Sequence, residues 1–258
     1  KILLLSEFAF VRPDIIKKVA EFAVKEKWGE NEEDLSILQK YIDYNFEIAY
    51  EQNLIKFAED KSYCLWRVGH LVTDRGEPIT ILFVKNRLEN KQPYLALFVF
   101  KGIEFDAKVG DSTVREKAPK APRYKFPSYH ANYKLNFNFD HYLSDHESRV
   151  AAALPNLTSY QRYLIVLGAI QTAHLIASQV AVPQWFRDKN ASVGGYKWLL
   201  PLRITDPDLS KKPDLVAALD PDNDSREYLV RTLLPPEWAY ANARAVISSI
   251  DAKISHWV

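Results

Sequence analysis

The chain has 258 residues, 47% of them hydrophobic, enough to pack a globular core without metal or disulfide. Its 34 basic and 33 acidic side chains leave a formal charge of +1, which excludes a global field drawing the molecule onto nucleic acid; any such binding must come from a local patch. The single cysteine, Cys64, cannot form an internal bridge, the opening KILLLSEF has only four consecutive apolar residues against the roughly 7–15 of a signal-peptide core, and no apolar run reaches the ~20 residues of a membrane span, so a soluble cytoplasmic protein is the expectation.

The first sixty residues read as two helices. Pro13 opens the first, with Ile15, Ile16, Val19, Phe22 and Ala23 on one stripe and Gly29 as its stop. The second follows Asp34, with Leu35, Leu38, Tyr41, Ile42 and Ala49 at helical spacing. Residues 1–60 are thus expected to form a helical cap on an α+β core spanning 61–258. From Tyr63 to Gly102, the runs YCLWRV, ITILFVK and YLALFVFKG are separated by the turn-formers of DRGEP and NRLENKQ, which describes an antiparallel meander. Residues 103–130 are poor in apolar side chains and read as loop. YKLNFNFD then alternates strictly, with Tyr133, Leu135, Phe137 and Phe139 facing one way and Lys134, Asn136, Asn138 and Asp140 the other. A strongly apolar helix covers 159–180 and closes before Pro183. WLLPLRI, DLVAALD and YLVRTLL follow as strands, and PEWAYANARAVISSI as a terminal helix. Helices and strands come in blocks, so the fold class is α+β, with an antiparallel or mixed sheet between the helical cap and the C-terminal helix.

Three constellations carry possible chemistry. FNFDHYLSDHESRV holds Asp140, His141, His146 and Arg149 beside the alternating strand. If SDHESRV starts a helix capped by Ser144 or Asp145, Asp145 and Arg149 are four apart and pair, and His146 sits in the first turn, where its cationic form is disfavoured and it can serve as a base. The same residues also fit a capped, solvated helix start with one core histidine. The second constellation is the segment 115–134. Arg115, Lys117, Lys120, Arg123, Lys125 and Lys134 oppose a single acid, Glu116, and are interleaved with Tyr124, Phe126, Tyr129 and Tyr133. Such a segment can follow phosphates and stack bases, or it can be a loop kept soluble by its lysines. The third is a thin polar stripe, Gln171, His174 and Ser178, on the apolar helix, which must find polar partners inside the protein or line a cavity. On WAYANAR, Trp238 and Asn242 share one face and Tyr240 and Arg244 another. DPDNDS imitates a calcium loop but has Ser225 in place of the turn glycine and Arg231 in place of the bidentate glutamate, so it reads as a strand-to-strand turn. No zinc-helix, phosphate-loop, nucleophile-elbow or dinucleotide motif is present, and the sequence names neither metal nor cofactor.

The segments FDHYLSDHESRV, GAIQTAHLIASQVAVPQWF, KWLLPLRI, PDLVAAL and WAYANARAVISSIDAKISHWV resemble an uncharacterised domain family that occurs beside cold-shock and zinc-finger RNA-binding modules. RVGHLVTDRGEPITILF departs from that family's threonine–glycine–leucine wording. The resemblance implies an RNA-related setting without a reaction. It marks Asp140, His141, Arg149, Gln184, Asn242 and Arg244 as recurrent polar positions.

The combined expectation is an RNA- or nucleotide-engaging domain. Arg115, Lys117, Lys120, Arg123, Tyr124 and Lys125 would bind, as would Gln184, Asn242 and Arg244. In an enzyme version, Asp140, His141, His146 and Arg149 would supply phosphodiester or nucleotide acid–base chemistry. The alternative is a non-catalytic RNA-binding or protein-interaction module.

Overall fold

A computed structural model describes residues 4–88, 90–138, 140, 146–186, 195–247 and 253–258. Seven helices and twelve strands in three sheets occur among them, an α+β arrangement with helices at both ends of the chain, as expected. The chain divides into two compact units, Lys1–Tyr124 and Lys125–Val258.

In the first unit, α1 (Leu5–Phe8) and β1 (Ala9–Phe10) precede α2 (Pro13–Phe22) and α3 (Ser36–Glu51). The stripe read from the sequence buries Ile15, Ile16 and Val19, but α2 ends at Phe22 rather than near Gly29. Asp34 anchors the entry to α3, its two carboxylate oxygens accepting the backbone N–H groups of Ser36 (2.9 Å) and Glu30 (2.8 Å). The meander is β3 (Tyr63–Val72), β4 (Pro78–Lys85) and β5 (Tyr94–Lys101), extended by β2 (Lys56–Phe57) at one edge and by β1, parallel to β5, at the other. Helices pack on one face, where Phe8, Phe46, Trp66 and Phe83 meet ring to ring. On the other face lies a feature absent from the sequence reading: residues 103–117 are not loop but a hairpin, β6 (Glu104–Val109) and β7 (Ser112–Lys117). Its Ala107 is buried against Leu65 and Leu82, with Phe105, Val109 and Val114 packed around them, and Phe105 stacks on Phe100 with centroids 4.4 Å apart. Apolar residues at every second position are the period of a strand, and their number was too low to register in composition.

The second unit is built on β8 (Lys134–Asn136), β9 (Val182–Phe186), β10 (Gly195–Leu202), β11 (Leu215–Asp222) and β12 (Glu227–Leu234), in the order β8-β12-β11-β10-β9. The pairs are antiparallel except β8 with β12. Strand β9 was not expected, because Pro183 read as a helix terminator. It is an edge strand, where the missing N–H of proline is tolerated. Helices α4 (Glu147–Ala153), α5 (Ser159–Leu175) and α6 (Ala177–Val180) precede it, and α7 (Pro236–Arg244) follows the sheet. Thr158 caps α5 reciprocally with Gln161. Trp198, Leu200 and Leu202 of β10, Leu215, Ala217 and Leu219 of β11, and Tyr228, Val230 and Leu233 of β12 form one core with Val166, Ile170 and Ala173 of α5. The opposite face of the sheet receives α7. No helix among the described residues is long and apolar enough to cross a membrane.

Candidate functional site

Because side chains alternate along a strand, the residues between those of the core point to the opposite face. These are Gln184 on β9, Lys197 on β10 and Asp220 on β11. Lys197 pairs in register with Gln184, and Lys197 Nζ donates to Asp220 Oδ2 at 2.9 Å. On β12 the register shifts: Ala218 faces Thr232 while Leu219 faces Val230, so Arg231 is the extra residue of a bulge. A bulge turns two consecutive side chains to the same face, and here Arg231 and Thr232 both reach the open side of the sheet. Arg231 Nε donates to Asp220 Oδ2 at 3.1 Å, the same oxygen that Lys197 uses. A polar row Gln184–Lys197–Asp220–Arg231 thus crosses four strands, with two cations sharing one carboxylate.

The row floors a hollow of about 410 Å³, walled by Phe186, Leu234 and, from α7, Asn242. Gln184 is only 2% exposed, and its side-chain oxygen Oε1 has no hydrogen-bond partner among the described residues. Lys197 Nζ lies 4.8 Å from the centroid of the Phe186 ring, which remains 43% exposed. Arg149 of α4 reaches the same face: its Nη1 donates to Thr232 Oγ1 (2.9 Å) and to Leu233 O (3.1 Å), and its guanidinium lies 5.4 Å from the ring centroid of Trp238. A neighbouring hollow of about 390 Å³ shares Arg231 and is lined by Asn136, Asn138 and Asp140.

The residues marked by resemblance therefore separate into groups. Asp140, Arg149, Gln184 and Asn242 gather on this face or at its rim. Arg244 does not: it is buried on the other side of α7 with Tyr240, and its Nη1 donates to Ile247 O at 2.8 Å. The two faces expected for WAYANAR are those observed, with Trp238 exposed and Tyr240 buried. His141 and Asp145 lie outside the described residues. His146 is itself the N-cap residue of α4, in place of the Ser144 or Asp145 expected, and is 2% exposed. It lines neither hollow.

The basic aromatic segment 115–134 is largely tied down. Arg115 and Lys117 both pair with Glu104, at 2.6 and 3.1 Å, so the acid opposing them comes from the partner strand of the hairpin. Glu116 is buried and held by Lys56 and Tyr63. Tyr124 donates to Asn45 Oδ1 and packs on His70. Tyr129 bonds His174 Nδ1 at 2.7 Å and stacks on Tyr228, against which Tyr133 also packs. The rings thus serve the folding of the segment, while Lys120, Arg123, Lys125 and Phe126 remain exposed. Of the polar stripe on the apolar helix, His174 finds Tyr129, whereas Gln171 and Ser178 face solvent. DPDNDS is a strand-to-strand turn, in which Asp222 Oδ1 accepts the backbone N–H of Asp224 at 3.0 Å. No group of three metal-ligating side chains occurs among the described residues.

The model of a family described as a Domain of unknown function (DUF3825) matches residues 19–253. The chain belongs to the DUF3825 family. No curated protein and no solved structure matches it. The DUF3825 match agrees with the resemblance to an uncharacterised domain family. It includes all of the polar row, which is therefore part of the family segment.

The sequence reading did not single out Lys197, Asp220 or Thr232, and Arg231 figured only as the residue that spoils a calcium loop. A signal was available: KWLLPL, LVAALD and YLVRTLL each carry one charge in an otherwise apolar strand. A part-buried charge in an otherwise apolar strand is stabilised by a partner, and the three charges in these adjacent strands find one another.

Proposed function

We propose that the protein engages RNA or a nucleotide through the open face of the sheet in its second unit, as a binding module. The observation that carries this reading is the row Gln184–Lys197–Asp220–Arg231 beneath a hollow of about 410 Å³. Lys197 and Arg231 bring an ammonium and a guanidinium to this face, and Arg149 a second guanidinium, groups whose chemistry suits a phosphate. Carboxamides such as those of Gln184 and Asn242 offer both donor and acceptor, the pairing chemistry of base edges. Exposed Lys125, in the same unit, offers a further phosphate contact. The binding reading is favoured over acid–base catalysis because His146 is buried away from both hollows, and the row contains no histidine, serine or cysteine, its one carboxylate being taken up by Lys197 and Arg231.

Fluorescence anisotropy with a labelled single-stranded RNA tests the reading. Affinity should fall steeply with salt. Arg231→Ala should weaken binding and lower the slope of log K against log salt by about one. An affinity indifferent to salt, no affinity at all, or an unchanged Arg231→Ala protein would refute binding at this face. A loss confined to an Arg123→Ala, Lys125→Ala double variant would move it to the basic segment.

A further inference from the structure

We infer that the hollow over the polar row holds a single nucleotide, its base edge read by Gln184 and its phosphate held at Arg231. This rests on the RNA or nucleotide reading above and deepens it. A buried carbonyl oxygen without a donor destabilises the folded state, and Gln184 Oε1 is such an atom among the described residues. An ionised phosphate carries acceptors only, so a phosphate cannot satisfy it. The group that does must bring an N–H or O–H. A carboxamide pairs most completely with a base edge that sets a donor beside an acceptor.

The surroundings fit a base better than a sugar at that end. Phe186, two residues along the same strand face, offers an exposed ring for stacking. The far end of the row carries the guanidinium of Arg231, which bonds Asp220 through Nε. Gln184 and Arg231 lie on strands three spacings apart, about 14 Å from backbone to backbone. The side chains at both ends shorten that span to the length of one base and its ribose. The hollow, at about 410 Å³, is of a size that encloses a small ligand.

The test is calorimetric titration of the full chain with inorganic phosphate, ribose 5-phosphate, the four nucleoside monophosphates and a trinucleotide of the best base. At least one monophosphate or its trinucleotide should bind ten-fold or more tightly than ribose 5-phosphate. Tighter binding of the monophosphate identifies a free nucleotide as the ligand, and tighter binding of the trinucleotide identifies RNA. Gln184→Met should abolish the preference for a base while keeping the weak binding of ribose 5-phosphate, and should raise the melting temperature of the ligand-free protein. If that variant does not fold, a nucleotide whose base N–H groups are methylated should lose the ten-fold preference on the parent protein.

Equal affinity for nucleotides and ribose 5-phosphate would overturn base reading at Gln184 and leave phosphate binding standing. A Gln184→Met protein that folds but melts lower would show Oε1 to be satisfied within the protein, and would overturn the inference as well. RNA binding untouched by Gln184→Met, with no monophosphate bound, would place base recognition elsewhere. No binding of any of these ligands, nor of RNA, would remove the functional reading itself.

Discussion

Replacing Gly69 by alanine should be among the most damaging single-methyl additions available to this chain. Gly69 has φ +53°, in the left-handed region, at the irregular part of β3 where pairing with β4 shifts between Arg67 and Val72. A Cβ there would lie 2.5 Å from both Tyr41 Oη and Asn45 Oδ1. Neither atom can retreat cheaply. Tyr41 and Asn45 are buried, Tyr41 Oη accepts the His70 N–H at 2.8 Å, and Asn45 Oδ1 accepts the hydroxyl of Tyr124 while its amide donates to Tyr41 O at 2.8 Å. The backbone conformation alone costs alanine about 1–2 kcal/mol. Displacing one or two hydrogen bonds of buried groups adds about 1–3 kcal/mol each, so with the backbone part the total is roughly 2–8 kcal/mol. Gly76 is the internal control: its φ is +75°, but nothing lies within 4 Å of the added Cβ, so Gly76→Ala should cost only the conformational part, about 1–2 kcal/mol. Urea unfolding followed by tryptophan fluorescence measures both, with an unchanged slope required for the comparison. A Gly69→Ala protein destabilised by no more than Gly76→Ala would refute the steric argument.

The C-terminal residues Ile254 and Trp257 are completely buried, so deleting 254–258 should remove about 3–5 kcal/mol and lower the melting temperature by roughly 5–10 °C; an unchanged melting curve would contradict that packing. His146, expected from the sequence in the first turn of a helix, is instead buried at the N-cap of α4, so His146→Ala should destabilise by about 1–3 kcal/mol in urea titration. A cost below about 0.5 kcal/mol would show that its burial contributes little. Burial, with Arg67 nearby, holds the pKa of His70 below its ordinary value, against the opposing effect of its ring contact with Pro122 O at 2.7 Å. The unfolded chain therefore takes up a proton there first. Stability contributed by neutral His70 is complete above about pH 6.5 and falls as the pH drops toward its lowered folded value. His70→Gln should flatten the loss of stability between about pH 7 and pH 5, and parallel curves for parent and variant would rule this out.

Local pattern determined a large part of this protein without any tertiary information. The three-strand meander, the α2 stripe of Ile15, Ile16 and Val19, and the two faces of WAYANAR follow from side-chain period alone, because each period has one way to hide its apolar residues. The family is legible too, since all but the last five residues of the C-terminal motifs lie within the matched segment 19–253. The tertiary structure decided what depends on neighbours. The hairpin at 104–117 exists because Leu65 and Leu82 offer an apolar face to Ala107. Pro183 lies in a strand because that strand is at an edge, a fact of sheet order rather than of sequence. The candidate site is the clearest case. Gln184, Lys197, Asp220 and Arg231 are spread over 48 positions of the chain and no motif joins them. They form a row only because the register aligns β9 to β12 and a one-residue bulge swings Arg231 into line, and register and bulges are properties of paired strands that a single strand cannot encode.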